Sequence, residues 1–374
     1  MIFNRRTLFA SAFALTLGLA ACTGTQEAPE AEAPAAGGDE QAAVDETLSA
    51  ELSGAGASFP APLYQQWFSA FNEQYPGVQI SYQSVGSGAG IEQYLAGTVD
   101  FGATDAPLSE EEREQFASQY GAGPIQVPMT GGAVVFAYNL PGAEEGLQLS
   151  REAYCGIVGG DITSWDDPAI AEVNEGVDLP STPIQFVHRS DGSGTTFIFT
   201  NHIAEACPNW EAGAGRALEW PTGTGARGNE GITAQVQQTE GAIGYVEYAY
   251  ANENGLSMAT LENEAGEFIE PTPESAALAF EGEEIPEDFA LTVPNPTNPE
   301  AYPIAGLTWL LIYPEYDDPA TAEALNAVVE WALTEGDQYA TELGYIPLGG
   351  EVQERVITRV EEAIGGNEVA ANPQ

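Results

Sequence analysis

The sequence predicts an α/β protein of two lobes, each a doubly wound sheet with flanking helices, and three observations carry that expectation. Strand-like stretches run three times into a glycine-containing turn and the start of a helix, the connection used by parallel sheets whose strand ends face a crevice. Two apolar, β-rich runs, Gly132 to Asn139 and Ala305 to Tyr313, lie far apart in the chain and suit a pair of crossover strands at a hinge. The roughly 320 residues that follow the N-terminal region are enough to bury two cores.

The chain opens as an export signal. Met1 to Ala21 has a basic start at Arg5 and Arg6, an apolar run from Leu8 to Leu19, and Ala20 and Ala21 ahead of Cys22. The run is short for a membrane span, so residues 1–21 read as a bacterial lipoprotein signal, cleaved before a Cys22 that then carries lipid. Asn4 to Phe9 also touches the twin-arginine pattern, which leaves the export route open. Residues 22–47 are nearly all Ala, Glu, Pro, Gly, Asp and Gln, without an aromatic residue or a cation, and read as an acidic disordered tether. The expected location is the periplasm or cell surface, anchored to a membrane.

After Leu52 to Pro62, apolar residues recur at helical spacing (Leu63, Tyr64, Trp67, Phe68, Phe71, Tyr75) until Pro76-Gly77 ends the helix, so Ser58 and the Phe59 amide stand just before its first turn. Val78 to Gln83 alternates as a strand into Gly86-Ser87-Gly88-Ala89-Gly90, with a short helix expected from Ile91. Val99 to Asp105 reads as a strand ending in a carboxylate, followed by the capping box Ser109 to Glu112. Pro183 to His188 is the next strand and Thr196 to Ala206 the next helix, with Arg189, Asp191, Ser193, Gly194 and Thr195 in the turn between them. Thr321 to Thr334 and Glu351 to Ile364 carry apolar residues three and four apart and read as packing helices. The expected division is 48–133 plus 306–374 for one lobe and 134–305 for the other.

The turns carry the chemistry. A helix N-terminus presents unpaired N–H groups and the positive end of its dipole, Gly192 and Gly194 allow close approach, and Arg189 offers a planar fork of donors, a set suited to a small oxyanion. Taken alone the segment fits a helix cap with an Asp191–Arg189 pair equally well. Ser58 and Ser87 at two further helix starts tip the reading toward an anion site. Asp105 suits an oxyanion only if that ion carries a proton. A carboxylate accepts from P–OH, and against an unprotonated ion such as sulfate it is left facing a like charge.

Gly54 to Pro62, Val85 to Gly90, Val99 to Leu108, Arg189 to Thr195 and Gly241 to Ala251, in this order, resemble the periplasmic phosphate-binding protein of the high-affinity phosphate ABC transporter, over about Leu52 to Ile364. The resemblance implies a two-lobed periplasmic binding protein of the type II, Venus-flytrap kind that closes on inorganic phosphate. It implies as ligands Ser58 and the Phe59 amide, Ser87, Asp105, Arg189, Asp191, Ser193, the Gly194 amide and Thr195. It implies as partners the membrane subunits of a phosphate ABC permease, with arsenate as a possible second ligand and a monomeric state. Two departures stand out: Ser58 where threonine is common, and His188 where a second arginine is common. His188 reads as a strand residue beside the site.

Composition prunes the alternatives. All nine cations are arginine, against 57 acidic residues, for a net charge of −48. Without lysine there is no Walker A loop and no Schiff-base chemistry; with two histidines, His188 and His202, no metal-ligand spacing stands out; and no basic patch invites nucleic acid. No cofactor and no metal are expected. The remaining alternatives are a phosphatase or phosphotransferase using Ser193 or Ser87, and a phosphate-sensing surface protein. The acidic excess reads as a halophilic-type surface, since the screening length falls from roughly 8 Å at about 0.15 M salt to about 3 Å near 1 M. Cys155 and Cys207 remain after Cys22, and an oxidising compartment favours one disulfide between them.

Overall fold

The computed structural model describes residues 48–143 and 146–365. The signal, Cys22 and the tether lie outside the described residues. Among the described residues, twelve strands follow in chain order: β1 (Ala50–Gly56), β2 (Val78–Ser84), β3 (Phe101–Thr104), β4 (Ile125–Tyr138), β5 (Gln148–Leu149), β6 (Gln185–Arg189), β7 (Thr224–Ala226), β8 (Ala242–Glu247), β9 (Ser257–Met258), β10 (Thr260–Glu262), β11 (Phe268–Ile269) and β12 (Ala305–Ile312). The main sheet runs β2-β1-β3-β12-β4-β8-β6-β7, with β9 on β4, and a small sheet runs β11-β10-β5.

The main sheet has two parallel flanks joined by antiparallel strands. β1 pairs in parallel with β2 and β3, and β6 with β7 and β8. Between them β4 lies antiparallel to β12 over its first part, Ile125 to Ala133, and antiparallel to β8 over its last, Val134 to Tyr138. One strand therefore belongs to both flanks. Burial is complete along β4 and β12, which is why both read in the sequence as unbroken apolar runs instead of an alternation. Pro128 is tolerated at the centre because the register shifts there, opposite Thr308 and Trp309, so the missing N–H falls at a bulge.

Most of the expected elements form where the pattern places them. The helices Ala61–Gln74, Glu110–Tyr120 with its capping box, Gly194–Ala206, Pro319–Leu333 and Gly350–Val360 match within a few residues. One boundary differs: the helix expected from Ile91 begins at Ser87 and runs to Leu95. Gly86 makes the whole turn with φ 92°, and the following glycines are the first helical turn. The first helix buries Trp67 and Phe71, the latter edge-on to Trp331 at 5.7 Å between ring centres, with Trp67 Nε1 donating to the Gly336 carbonyl at 2.8 Å. Burying each such ring contributes roughly 2–3 kcal/mol.

Cys155 and Cys207 are bonded, with Cα atoms 5.5 Å apart. The bridge ties the helix Arg151–Gly159 to the C-cap of the helix Gly194–Ala206, whose other end enters the site described below. Replacing both cysteines by serine is expected to lower unfolding free energy by up to roughly 4 kcal/mol from loop entropy. Urea denaturation of the oxidised wild type and the variant measures it, and equal stabilities would show that the bridge constrains nothing.

Candidate anion-binding site

Four strand-to-helix or strand-to-loop junctions at the carboxyl ends of parallel strands meet at the centre of the sheet. β1 delivers Ser58 and Phe59, β2 delivers Ser87, β3 delivers Asp105, and β6 delivers Arg189 through Thr195. Open parallel sheets place ligands at this end because helix N-termini and chain reversals converge there. Ser58, Ser87, Asp105, Arg189, Ser193 and Thr195 are all at most 3% exposed. The four segments singled out in the sequence are thus one buried group.

The two flanks touch through the site. The Gly194 N–H donates to Ser87 Oγ at 3.0 Å, the Gly88 N–H to the Gly192 carbonyl at 2.8 Å, and the Asp105 N–H to Ser87 Oγ at 3.2 Å. Ser87 in turn donates to Asp105 Oδ2 at 3.5 Å. Such an approach excludes a side chain: a Cβ on Gly194 would lie 2.5 Å from Ser87 Oγ and from Asp105 Cβ. Ser193 is the N-cap of its helix, its Oγ accepting from the Thr196 N–H at 3.0 Å. The turn caps its helix, one of the two readings the sequence posed, and the Gly194 N–H that it presents donates to Ser87 Oγ of the other flank.

Charge is answered locally. Arg189 grips Asp191 with both Nε (2.8 Å) and Nη2 (2.6 Å), while Nη1 reaches Thr195 Oγ1 at 3.4 Å. Burial alone would raise Asp191, but the guanidinium and the Gly228 N–H hold it below the usual carboxylate range. Asp105 has no such clamp. Burial pushes it up to about 7, against the hydrogen bond from Thr308 (2.8 Å), the charge of Arg189, and bonds from Ser87 and the Thr195 N–H. The sequence reading takes Asp105 as an acceptor; its burial makes its ionisation conditional near neutral pH.

The structure also corrects an omission. Asn229, at the start of the helix Gly228–Gln238, is wholly buried and donates through Nδ2 to Ser58 Oγ and to Thr195 Oγ1, each at 3.0 Å. It is a further strand-to-helix junction, hidden because β7 is three residues long inside a stretch that reads as loop. Thr308, on β12, is the second omission. Phe59 contributes its ring to the core, edge-on to Tyr345, whose hydroxyl donates to the Phe59 carbonyl at 2.8 Å. His188 stacks on Trp220 with ring centres 4.9 Å apart, and its Nδ1 pairs with the Arg189 carbonyl. His202 is buried between the Pro294 carbonyl and the Tyr154 hydroxyl, and burial lowers it to about 4.

This architecture, with ligand-type residues at the strand ends of two joined parallel flanks, defines a binding protein of the periplasmic type, and a profile of the PBP superfamily domain matches residues 28–335. The phosphate-binding protein PstS of Pasteurella multocida is 40% identical over 315 residues, covering 83% of this chain and 90% of that one. PstS of Xylella fastidiosa strain 9a5c is 41% identical over 309 residues, covering 81% and 83%. A crystal structure titled as a putative phosphate ABC transporter substrate-binding protein with bound phosphate, from Clostridium perfringens, superposes with a TM-score of 0.58 at 20% identity, covering 80% and 100%. A high-affinity periplasmic phosphate-binding protein bound with phosphate gives 0.70 at 23%, covering 83% and 93%, and these two establish the fold. The chain belongs to the PstS family of phosphate-binding proteins.

Because the folded state favours protonated Asp105, its contribution to stability is complete below the ordinary carboxyl value near 3.9 and is lost as pH rises toward about 7. Ionising it in the ligand-free protein costs on the order of 4 kcal/mol. Asp105→Asn is therefore expected to stabilise the ligand-free protein by an amount that grows between about pH 4 and 7 and then levels. Denaturation curves across pH measure this, and parallel pH profiles for the two proteins would contradict it.

Proposed function

We propose that this protein binds inorganic phosphate outside the cytoplasmic membrane and delivers it to an ABC permease, without chemical turnover. The observation that carries the reading is the pairing of one buried acceptor, Asp105, with a ring of donors: the Arg189 guanidinium, the Gly194 N–H and the hydroxyls of Ser58, Ser87 and Thr195. Phosphate is an oxyanion with both bare oxygens and a proton to donate, and it matches such a set. The Phe59 amide completes the donors on one side, and Asp191 and Ser193 orient Arg189 and the helix on the other. Relatives named as phosphate-binding proteins support the same reading.

In this reading the lobes are 48–133 plus 306–374 and 134–305, with β4 and β12 as the crossovers. Phosphate held by both lobes stabilises the closed form, which a permease can recognise. Cys22 carries the lipid that holds the protein at the membrane, residues 22–47 are the tether, and the protein acts as a monomer. Arsenate, alike in shape and protonation, enters the same site. A phosphotransferase using Ser87 would have Asp105 as its base, since Ser87 Oγ donates to that carboxylate, but it would also need a group to protonate the leaving oxygen, and both histidines are engaged elsewhere, His188 on Trp220 and His202 on Pro294 and Tyr154.

Titration calorimetry tests the reading: wild type takes phosphate in strong preference to sulfate, and Arg189→Ala loses about 100-fold or more in affinity, because the ligand and the largely buried Asp191 both lose their cation. Asp105→Asn narrows the phosphate-to-sulfate ratio. Near-normal affinity in the arginine variant, or an unaltered ratio in the asparagine variant, would refute the assigned roles. The acidic surface makes a separate prediction: the melting temperature rises from dilute buffer to about 1 M potassium chloride as carboxylate repulsion is screened. A salt-independent melting temperature would contradict salt adaptation.

A further inference from the structure

We propose that Asn229 sets the hydrogen-bond polarity of the site, holding the hydroxyls of Ser58 and Thr195 as donors and so acting as a positioning residue for oxyanion selection. The inference rests on the phosphate reading and deepens it, adding a residue outside the ligand set.

The amide has one orientation. Asn229 Oδ1 accepts from the Glu247 N–H at 3.0 Å, so Nδ2 must face the two hydroxyls. Ser58 Oγ then accepts twice, from Asn229 Nδ2 at 3.0 Å and from the Asn229 N–H at 3.2 Å. Thr195 Oγ1 also accepts twice, from Asn229 Nδ2 at 3.0 Å and Arg189 Nη1 at 3.4 Å. A hydroxyl has two acceptor positions and one proton. With both acceptor positions filled, each hydroxyl has only its proton to offer.

Selection follows from that polarity. Ser58 and Thr195 accommodate bare oxygens of the ligand, and a P–OH directed at either meets no acceptor. The ligand's proton is thereby sent to Asp105, whose carboxylate is the acceptor of the set. Asn229 and Asp105 act as a pair, one excluding the proton from one side of the anion and the other receiving it. A carboxylate in place of Asn229 would still accept from Glu247 but would draw both hydroxyl protons away from the ligand.

A double-mutant cycle with Ser58→Ala and Asn229→Ala, read by phosphate calorimetry with melting curves alongside, tests this without adding charge. Each single variant is expected to lose about 10-fold in affinity, and the double variant to lose well under the product, because Asn229 acts partly through Ser58. Asn229→Asp is expected to lose about 100-fold at alkaline pH and to recover part of it as the introduced carboxyl is protonated, while Asn229→Ala keeps the wild-type pH profile. Additive losses in the cycle overturn the inference, and the neutral cycle decides even if Asn229→Asp does not fold. Wild type that binds no phosphate overturns the phosphate reading and this inference together; wild type that binds with additive losses overturns this inference alone.

Discussion

A guanidinium buried at 3% exposure is the constraint around which the centre of this molecule is organised. Taking such a charge out of water costs several kcal/mol unless its donors are met with good geometry. Asp191 meets two of them from the same turn, two residues on, so the pair is formed locally. The turn that achieves this also starts the helix Gly194–Ala206, and its glycines let the opposite flank press against it. Holding the positive charge in place therefore shapes the backbone that presents the remaining donors.

Asp105 is the counterweight. It shares the interior with Arg189 without pairing to it, and its carboxyl is supported by Thr308 from β12 and Ser87 from the helix after β2. Strands from the first flank, the central crossover and the second flank thus all contribute to one small volume. An acceptor that is costly to ionise in the folded protein is a reserve of unfavourable energy, and a ligand that brings a proton and bare oxygens relieves it. On the proposed reading, the same feature that weakens the ligand-free fold would sharpen the distinction between a protonated and an unprotonated oxyanion, setting stability against selectivity at this residue.

The setting is a chain carrying 57 acidic side chains and nine arginines. The proposed anion site could work in that field because Arg189 is buried and paired with Asp191 at contact distance, where low dielectric strengthens short interactions, while exposed carboxylates act at longer range and are screened by salt. The reading also explains why arginine alone supplies the cation here: its fork can grip Asp191 in two places and still extend Nη1 toward Thr195, which an ammonium group could not do.

Much of this was legible in the residues themselves. Turn chemistry is local, so Ser58, Ser87, Asp105 and the Arg189 to Thr195 segment stood out by glycine placement and helix-start position, and the two unbroken apolar runs announced strands buried on both faces. The pairing of Cys155 with Cys207 followed from compartment and count. Three matters needed the tertiary structure. Asn229 sits after a three-residue strand too short to leave a period, and its two amide contacts exist only because Ser58 and Thr195, distant in sequence, lie on either side of it. Thr308 is an ordinary strand threonine until β12 is laid against β3. The ionisation of Asp105 depends on burial by every element that packs around it. Local sequence determines which groups a turn can present; which of them meet, and how wet they are when they do, is decided by long-range packing that no short window of residues contains.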